Sequence, residues 1–310
     1  MNASFRTMLL AGFFLGTGVL LAQPNAQLAE KLGYAPGTKL LIVHADDIGL
    51  AQSVNEATAL AFDKGGISSG SIMVPCPWFE ACAAYYASHP QLDVGIHITL
   101  TAEWDHYKWG GVAPDGEIAS LLDENGYLYP TVEQVAQHAA PAEAEREIRA
   151  QIDRALARGI RPSHLDTHMG SVLAKPELYQ IYLKLGQEYG IPVFLPRAVL
   201  AMVPGEQKGW IEEHHVLVDH YDMLESQQPG VSWEEAYGSK LEKMVPGLNV
   251  LIVHLAFDNG EMQGIAVNHP DFGSQWRQKD LDYLTGPAFR AKLKEENIQL
   301  VSWGQIKDLL

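Results

Sequence analysis

Basic residues and cysteines are scarce in this 310-residue chain, and each shortage excludes a class of function. Only 22 lysines and arginines stand against 38 acidic residues, which gives a formal net charge of -16. A chain this negative repels the phosphate backbone of nucleic acids, so we expect no nucleic-acid partner. The two cysteines, Cys76 and Cys82, have neither a CxxC nor a zinc-ribbon spacing, which argues against a thiolate metal site. Their spacing leaves open whether they are bridged or free.

Long apolar runs are also missing, except near the N-terminus. Arg6 precedes 14 mainly apolar residues (8–21), and Ala22 then leads into a polar stretch. A cationic start, a short apolar run and a small-residue end are typical of a cleavable secretory signal. A membrane-spanning helix needs about 20 apolar residues, so an uncleaved anchor is the weaker alternative. We therefore predict a signal peptide over 1–22, export to the periplasm or the extracellular space, no stable membrane insertion after cleavage, and one folded domain over 23–310.

Nucleotide-binding motifs are absent as well, because no Gly-x-Gly-x-x-Gly or P-loop sequence follows an apolar run. What the chain has instead is an alternation of short apolar runs and amphipathic helices. Predicted strands lie at 40–44, 69–74, 94–99, about 164–167, 192–195, 250–255 and 298–302, and predicted helices at 54–64, 141–158, 176–189 and 287–296. Runs such as LLIVH are apolar throughout, as a parallel strand buried on both faces requires. The alternation predicts a parallel α/β sheet or barrel, and periodicity alone does not separate the two.

Ionisable residues stand where four of these apolar runs end, in the segments LLIVHADDIG, VGIHITL, SHLDTH and VLIVHLAFD. Reacting groups of parallel α/β folds project from the carboxyl ends of strands. Adjacent buried carboxylates at Asp46 and Asp47 are costly unless a cation or a proton compensates them. The imidazoles of His97 and His168 with one carboxylate would form a two-histidine, one-carboxylate metal site that leaves positions open for water.

Each of these residues also has a simpler interpretation. Asp47 could cap the helix that follows, and a lone His97 could be a core histidine with satisfied hydrogen bonds. In an extended strand His164, Asp166 and His168 share one face, so one of them could orient another instead of binding metal. Their joint appearance at strand ends favours the metal site.

At this point the chain resembles a known family. The segment LIVHADDIGLAQSVNEA (41–57) is similar to the opening motif of the carbohydrate deacetylases called YdjC-like or ChbG-type (chitooligosaccharide) deacetylases, relatives of the polysaccharide deacetylases. The resemblance continues through GIHITL (95–100) and RPSHLDTH (161–168), and returns weakly at 253–254 and 301–303. It implies an α/β fold with an irregular (β/α) barrel of about seven mostly parallel strands.

The same resemblance implies a role for each residue at the motif positions. Asp47, His97 and His168 would bind a divalent metal ion, Zn²⁺ or Mg²⁺. Asp46 would be the general base that takes a proton from the attacking water, and His254 the general acid that protonates the leaving amine.

The chain departs from the family pattern at two places. Met169 follows His168 where the family usually has further histidines, which could change the pocket wall or the metal preference. Leu255 follows His254 where the family commonly has proline, so this departure lies directly beside the expected general acid.

A long segment after His97 carries several aromatic residues, among them Trp104, Trp109 and Tyr127. Loops of this length are usually functional or mobile, and flat aromatic faces suit the C–H faces of sugar rings. We predict that these three residues contact the substrate. The alternative is a loop that packs its own aromatic side chains over the barrel.

The sequence thus predicts a metal-dependent hydrolase that removes acetyl groups from N-acetylated sugars or oligosaccharides. A metal-dependent phosphoesterase or other esterase is one alternative, although phosphoesterases more often hold two metals with more carboxylates. An exported carbohydrate-binding protein without turnover is another, but binding alone does not require Asp46.

Overall fold

The computed structural model describes residues 24–309 apart from 202, 204, 227 and 228, so the predicted signal peptide lies outside the described residues. The strands are β1 Lys39–Ile48, β2 Ser69–Ile72, β3 Val94–Ile98, β4 Leu165–Thr167, β5 His220–Met223, β6 Gly247–His254 and β7 Ile298–Leu300. The α-helices are α1 Pro24–Lys31, α2 Gln52–Asp63, α3 Phe79–Ser88, α4 Val132–His138, α5 Pro141–Ala157, α6 Pro176–Tyr189, α7 Gly205–His214, α8 Trp233–Glu242, α9 Gly260–Ile265, α10 Ser274–Thr285, α11 Pro287–Glu295 and α12 Trp303–Lys307. None of these helices is both long enough and apolar enough to cross a membrane.

All the strand pairs of the sheet are parallel, in the order β4-β3-β2-β1-β6-β5. The long strand β1 pairs with β6 over most of its length, with β7 near its start and with β2 near its end. Single bridges from Leu165 to Val193 and from Pro196 to Val218 continue the ladder beyond β4. The curled parallel sheet with surrounding helices confirms the predicted α/β barrel-like fold.

The structure differs from the strand predictions at two places. The segment 192–195 forms an isolated bridge instead of a strand, because Pro192 and Pro196 cannot donate to a ladder. Strand β5 was not predicted, since HYDM is half-exposed and carries no apolar run.

Proline and glycine set several helix boundaries. Pro141, Pro176 and Pro287 each begin a helix, where a missing N–H leaves no hydrogen bond unmade. Gly190 ends α6 with φ 62°, a left-handed conformation that glycine adopts without strain. The predicted bounds of α6 are therefore confirmed at both ends.

The side chains of β1 alternate between two environments, as the two-residue period of a strand requires. Leu41 and Val43 pack into the cluster formed with α2, α8, α10 and α11, whereas Leu40 and Ile42 pack with the Trp303 side of the molecule. The face that carries Leu40 and Ile42 continues with His44 and Asp46. This face therefore changes from apolar to ionisable toward the carboxyl end of β1, and that change fixes where the site lies.

Cys76 and Cys82 are both buried and unbridged. Cys82 donates to the carbonyl oxygen of Phe79, and Cys76 lies in the loop after β2. Both thiols act as small core side chains.

Candidate metal centre

A bulge at the end of β1 brings two neighbouring carboxylates to one place. In a regular strand Asp46 and Asp47 would point to opposite faces. The register between β1 and β2 shifts between Ala45 and Ile48, and Asp47 has φ 68°, a left-handed conformation that aspartate tolerates better than most residues. As a result Asp46 Oδ2 lies 3.7 Å and Asp47 Oδ1 lies 3.5 Å from His97 Nε2. Strained backbone of this kind clusters at functional sites.

Three side chains from separate strand ends converge beside this bulge. Asp47 Oδ1 is 3.5 Å from His97 Nε2 and 3.4 Å from His168 Nδ1, and the two nitrogens are 3.3 Å apart. All three residues are buried, and Asp47 Oδ1 has no hydrogen-bond partner among the residues that the structure describes. Three ligands held about 2.1 Å from a tetrahedrally coordinated ion lie about 3.4 Å from one another. The triangle therefore fits a single divalent cation, and these three residues are named the metal triad below.

A carboxylate lies behind each imidazole of the triad. His97 Nδ1 donates to Asp166 Oδ1 over 2.9 Å, and His168 Nε2 donates to Glu103 Oε2 over 2.9 Å. In the neutral imidazole each remote nitrogen therefore carries the proton, and the lone pair of the other nitrogen faces Asp47. This arrangement is the one found behind metal-binding histidines, where the carboxylate fixes both the tautomer and the ring orientation.

The third ligand is held in the same way by a cation. Arg277, a buried residue of α10, donates from Nη2 to Asp47 Oδ2 over 2.7 Å, which leaves Oδ1 free. Burial alone would raise the pKa of Asp47, but Arg277 and His168 hold it well below its usual range. The carboxylate is therefore ionised, as metal ligation requires.

The carboxylates around the triad raise the pKa values of its two imidazoles. Burial would lower the pKa of His168, yet Glu103 and Asp47 raise it to about 10. Burial would also lower the pKa of His97, but Asp166 and Asp46 raise it above the usual value of a histidine. A set of donors with this excess of negative charge suits a dication, whose binding would displace such protons.

Asp46 and His254 lie beside the triad and are register partners in the β1–β6 pair. Asp46 Oδ2 is 3.9 Å from His254 Nε2, and the His254 ring meets Phe272 edge-on with centroids 4.9 Å apart. The backbone N–H of His254 donates to Asp280 Oδ2 over 3.2 Å. Burial lowers the pKa of His254 to about 4, so its imidazole is neutral at pH 7.

The three ionisable residues of SHLDTH have three different surroundings. Only His168 joins the triad, because β4 ends at Thr167 and His168 begins a 3-10 turn. Asp166 orients His97, as the alternative interpretation of the motif allowed. His164 is fully buried, where Ser163 Oγ lies 2.9 Å from its Nδ1 and Trp303 stacks on its ring.

Sequence reasoning missed Glu103 and Arg277. Glu103 lies in the irregular segment after β3, where no period marks it, and Arg277 lies on a helix far along the chain from Asp47. The only available signal was that a buried carboxylate must have a compensating partner somewhere.

The predicted sugar-contacting aromatics have unequal positions. Trp104 and Trp109 are buried, and Trp109 donates to the carbonyl oxygen of Thr101 with its ring centroid 6.4 Å from that of His168. The Arg277 guanidinium lies 5.7 Å from the centre of the Trp104 ring. Tyr127 is 41% exposed. Trp109 therefore lies near His168, and Trp104 lies near Arg277. Contact of any of the three aromatic residues with substrate stays a prediction.

Comparison with known proteins agrees with the fold and with the motifs. The family described as "YdjC-like protein" matches residues 40–295, a span that contains the whole site. A carbohydrate deacetylase of Thermus thermophilus is 30% identical over 295 residues, which cover 91% of this chain and 99% of the relative. A carbohydrate deacetylase of Brevibacillus brevis is 36% identical over 156 residues, 50% of this chain and 59% of the relative.

One crystal structure from Enterococcus faecalis V583, of a protein described as a candidate cellobiose-phosphate cleavage protein, shares the fold. It superposes with a TM-score of 0.70 at 23% identity, covering 87% of this chain and 99% of that one. At this identity the likeness concerns the fold alone.

Proposed function

This chain belongs to the YdjC-like protein family, and from that premise we propose that it is a metal-dependent carbohydrate deacetylase. Its substrates would be N-acetylated sugars or oligosaccharides, from which it would hydrolyse the acetyl group. The observation that carries the proposal is the triad, in which Asp166, Glu103 and Arg277 each hold the far side of one ligand. Its relatives in Thermus thermophilus and Brevibacillus brevis carry the name carbohydrate deacetylase.

Asp47, His97 and His168 would hold the divalent ion. When bound, such an ion lowers the pKa of a water molecule and polarises the amide carbonyl. Two imidazole nitrogens favour Zn²⁺ over Mg²⁺, which prefers oxygen ligands.

Asp46 is the proposed general base. It lies next to the triad without belonging to it, and its Oδ2 can accept a proton from the attacking water. The water oxygen then bonds to the acetyl carbon, the C–N bond breaks, and the amine nitrogen must receive a proton.

His254 is the proposed carrier of that proton. Since burial lowers its pKa to about 4, it starts neutral and can accept a proton before donating it. Its Nε2 is 3.9 Å from Asp46 Oδ2, a separation that a small movement on substrate binding would close. His254 thus acts as the acid after it has received the proton taken up by Asp46.

The test is acetate release from N-acetylated chitooligosaccharides by the purified protein, with and without a chelator, alongside Asp46→Asn. We expect acetate from the wild type, loss of it on chelation, recovery when metal is restored, and little acetate from Asp46→Asn. Phosphate release from phosphosugars without acetate release would favour the esterase alternative. Sugar binding without any product would favour the carbohydrate-binding alternative.

We also propose that the protein is exported and that residues 1–22 are removed. The support is the cationic start and short apolar run of the N-terminal segment. N-terminal sequencing of the protein recovered from its producing cell should begin near residue 23. A mature chain that still begins at Met1 would contradict export by cleavage.

A further inference from the structure

One buried histidine beside the site has no part in the reaction described so far. His44 lies two residues before Asp46 on β1, on the same face of the strand, and follows a run of fully buried apolar residues. An imidazole in such surroundings is costly unless its polar atoms find partners. Within the described part of the chain its Nδ1 has no hydrogen-bond partner, and its polar contacts are all made through Nε2.

The contacts of His44 Nε2 reach three strands. Asp166 Oδ2 of β4 lies at 2.8 Å, Ser71 Oγ of β2 at 3.1 Å, and Asp46 Oδ1 of β1 at 3.2 Å. Among the described residues Asp46 Oδ1 accepts no hydrogen bond of good geometry, and its ion-pair contact is with His44 Nε2.

We propose that His44 is a positioning residue that sets the orientation of the general base. It holds Oδ1 of Asp46 on one side and thereby directs Oδ2 toward His97 and His254, which lie at 3.7 Å and 3.9 Å. His44 also contacts Asp166, the carboxylate that orients His97, and so links that carboxylate to the base. Because Asp46 is the base only under the proposed function, this role of His44 rests on that function.

Charge supports the same assignment. Burial would lower the pKa of His44, but Asp166 and Asp46 raise it to about 10. The resulting imidazolium lies between two buried carboxylates and compensates their charge.

The geometry separates this role from metal binding. Ser71 Oγ donates to Asp166 Oδ2 over 2.8 Å, and His97 donates to Asp166 Oδ1, so Asp166 keeps two partners when His44 is replaced. Among the described residues Asp46 Oδ1 has no hydrogen-bond donor that could take the place of His44. Loss of His44 should therefore reduce the rate of turnover and leave metal and substrate binding nearly intact.

The experiment compares His44→Asn, His44→Gln and His44→Leu in the full chain loaded with metal. The amide nitrogen of glutamine reaches about as far as Nε2, whereas that of asparagine reaches only as far as Nδ1, which has no partner here. We expect His44→Asn and His44→Leu to keep one equivalent of metal and a KM within about twofold, with kcat about 10–100-fold lower. His44→Gln should recover most of the lost kcat.

His164→Gln is the matched control, because His164 is equally buried and its ring centroid lies 4.8 Å from that of His44. Its Nδ1 faces Ser163 and not Asp46. We expect this variant to lower the Tm and to leave kcat near the wild-type value.

Wild-type kcat in His44→Leu, a glutamine variant no better than asparagine, or a loss of kcat that follows metal loss would overturn the role of His44. Should the variants fold poorly, the imidazole N–H resonance of His44 gives an independent test in Asp46→Asn. We expect it to shift from its wild-type position, and an unmoved resonance would overturn the proposal. A metal-loaded wild type without acetate release would instead overturn the proposed function itself.

Discussion

The two halves of the site differ in how firmly they are held. The metal half, formed by the triad, has a charged partner at 2.7–2.9 Å behind every ligand. In the proton half, Asp46 Oδ2 and His254 Nε2 are 3.9 Å apart, and the His254 ring meets Phe272 edge-on. We therefore expect the first half to be formed before substrate arrives and the second to be completed when substrate binds.

This difference predicts separate tasks for the two sets of side chains. Asp47 of β1, His97 of β3 and His168 of the turn after β4 are the proposed ligands, so their replacement should affect metal content. Asp46 of β1 and His254 of β6 are the proposed proton carriers, so their replacement should affect turnover in a protein that still holds metal. The following substitutions test that separation, from the largest expected effect to the smallest.

Removing a ligand should have the largest effect. We expect His97→Ala and His168→Ala to lose their metal and to reduce kcat/KM by about a thousandfold or more, since the proposed ion would supply several kcal/mol of transition-state stabilisation. Elemental analysis of the purified variants measures the first effect and acetate release the second. Unchanged metal content would refute the ligand assignment, and His164→Gln is the control for loss of a buried imidazole.

Removing the base should separate activity from metal. Asp46→Asn keeps the shape of the side chain but cannot take up a proton, so we expect about a 10²–10⁴-fold loss of kcat with full metal occupancy. Full activity in this variant would remove Asp46 as the base. Loss of metal would instead place Asp46 in the metal half.

Replacing His254 should lower the rate by about a hundredfold, and by the same factor at pH 6 and pH 8. The factor should not change because the pKa of His254 is about 4. At pH 6 and at pH 8 its imidazole is therefore already neutral in the free enzyme, and it has no proton to lose between the two values. The measurement is the ratio of kcat/KM for the wild type and His254→Gln at the two pH values. A wild-type activity that falls between pH 6 and 8, with no such fall in His254→Gln, would contradict this and show that His254 is protonated in the free enzyme below pH 6 and loses that proton in this range.

Removing a partner behind a ligand should have the smallest effect. We expect Asp166→Asn and Glu103→Gln to weaken metal affinity about 10–100-fold without abolishing binding. Competition with a chelator of known affinity measures the change. Wild-type affinity in both variants would show that the metal half does not depend on these carboxylates.

Much of the fold could be predicted because apolar runs and helix boundaries are local. LLIVH is apolar enough to predict a buried strand, and Pro176 and Gly190 mark both ends of α6. The segment 192–195 has the same apolar character, but its flanking prolines limit it to an isolated bridge. That outcome depends on ladder hydrogen bonds that periodicity does not record.

The sequence predicted five side chains that the structure brings close together: Asp46, Asp47, His97, His168 and His254. They follow apolar runs, and the resemblance to a family suggested their roles, which stay predictions. Glu103 and Arg277 follow no run, and only the folded chain shows that they lie behind His168 and Asp47. The bulge that turns Asp47 toward His97 and His168 could not be predicted from the sequence either, because it arises from the pairing between β1 and β2.

The most direct test of the metal centre is an anomalous difference map from crystals of the zinc-loaded protein, recorded on both sides of the zinc absorption edge. One peak should lie about 2.0–2.2 Å from Asp47 Oδ1, His97 Nε2 and His168 Nδ1. A zinc peak bound elsewhere, with these three atoms uncoordinated, would contradict the account.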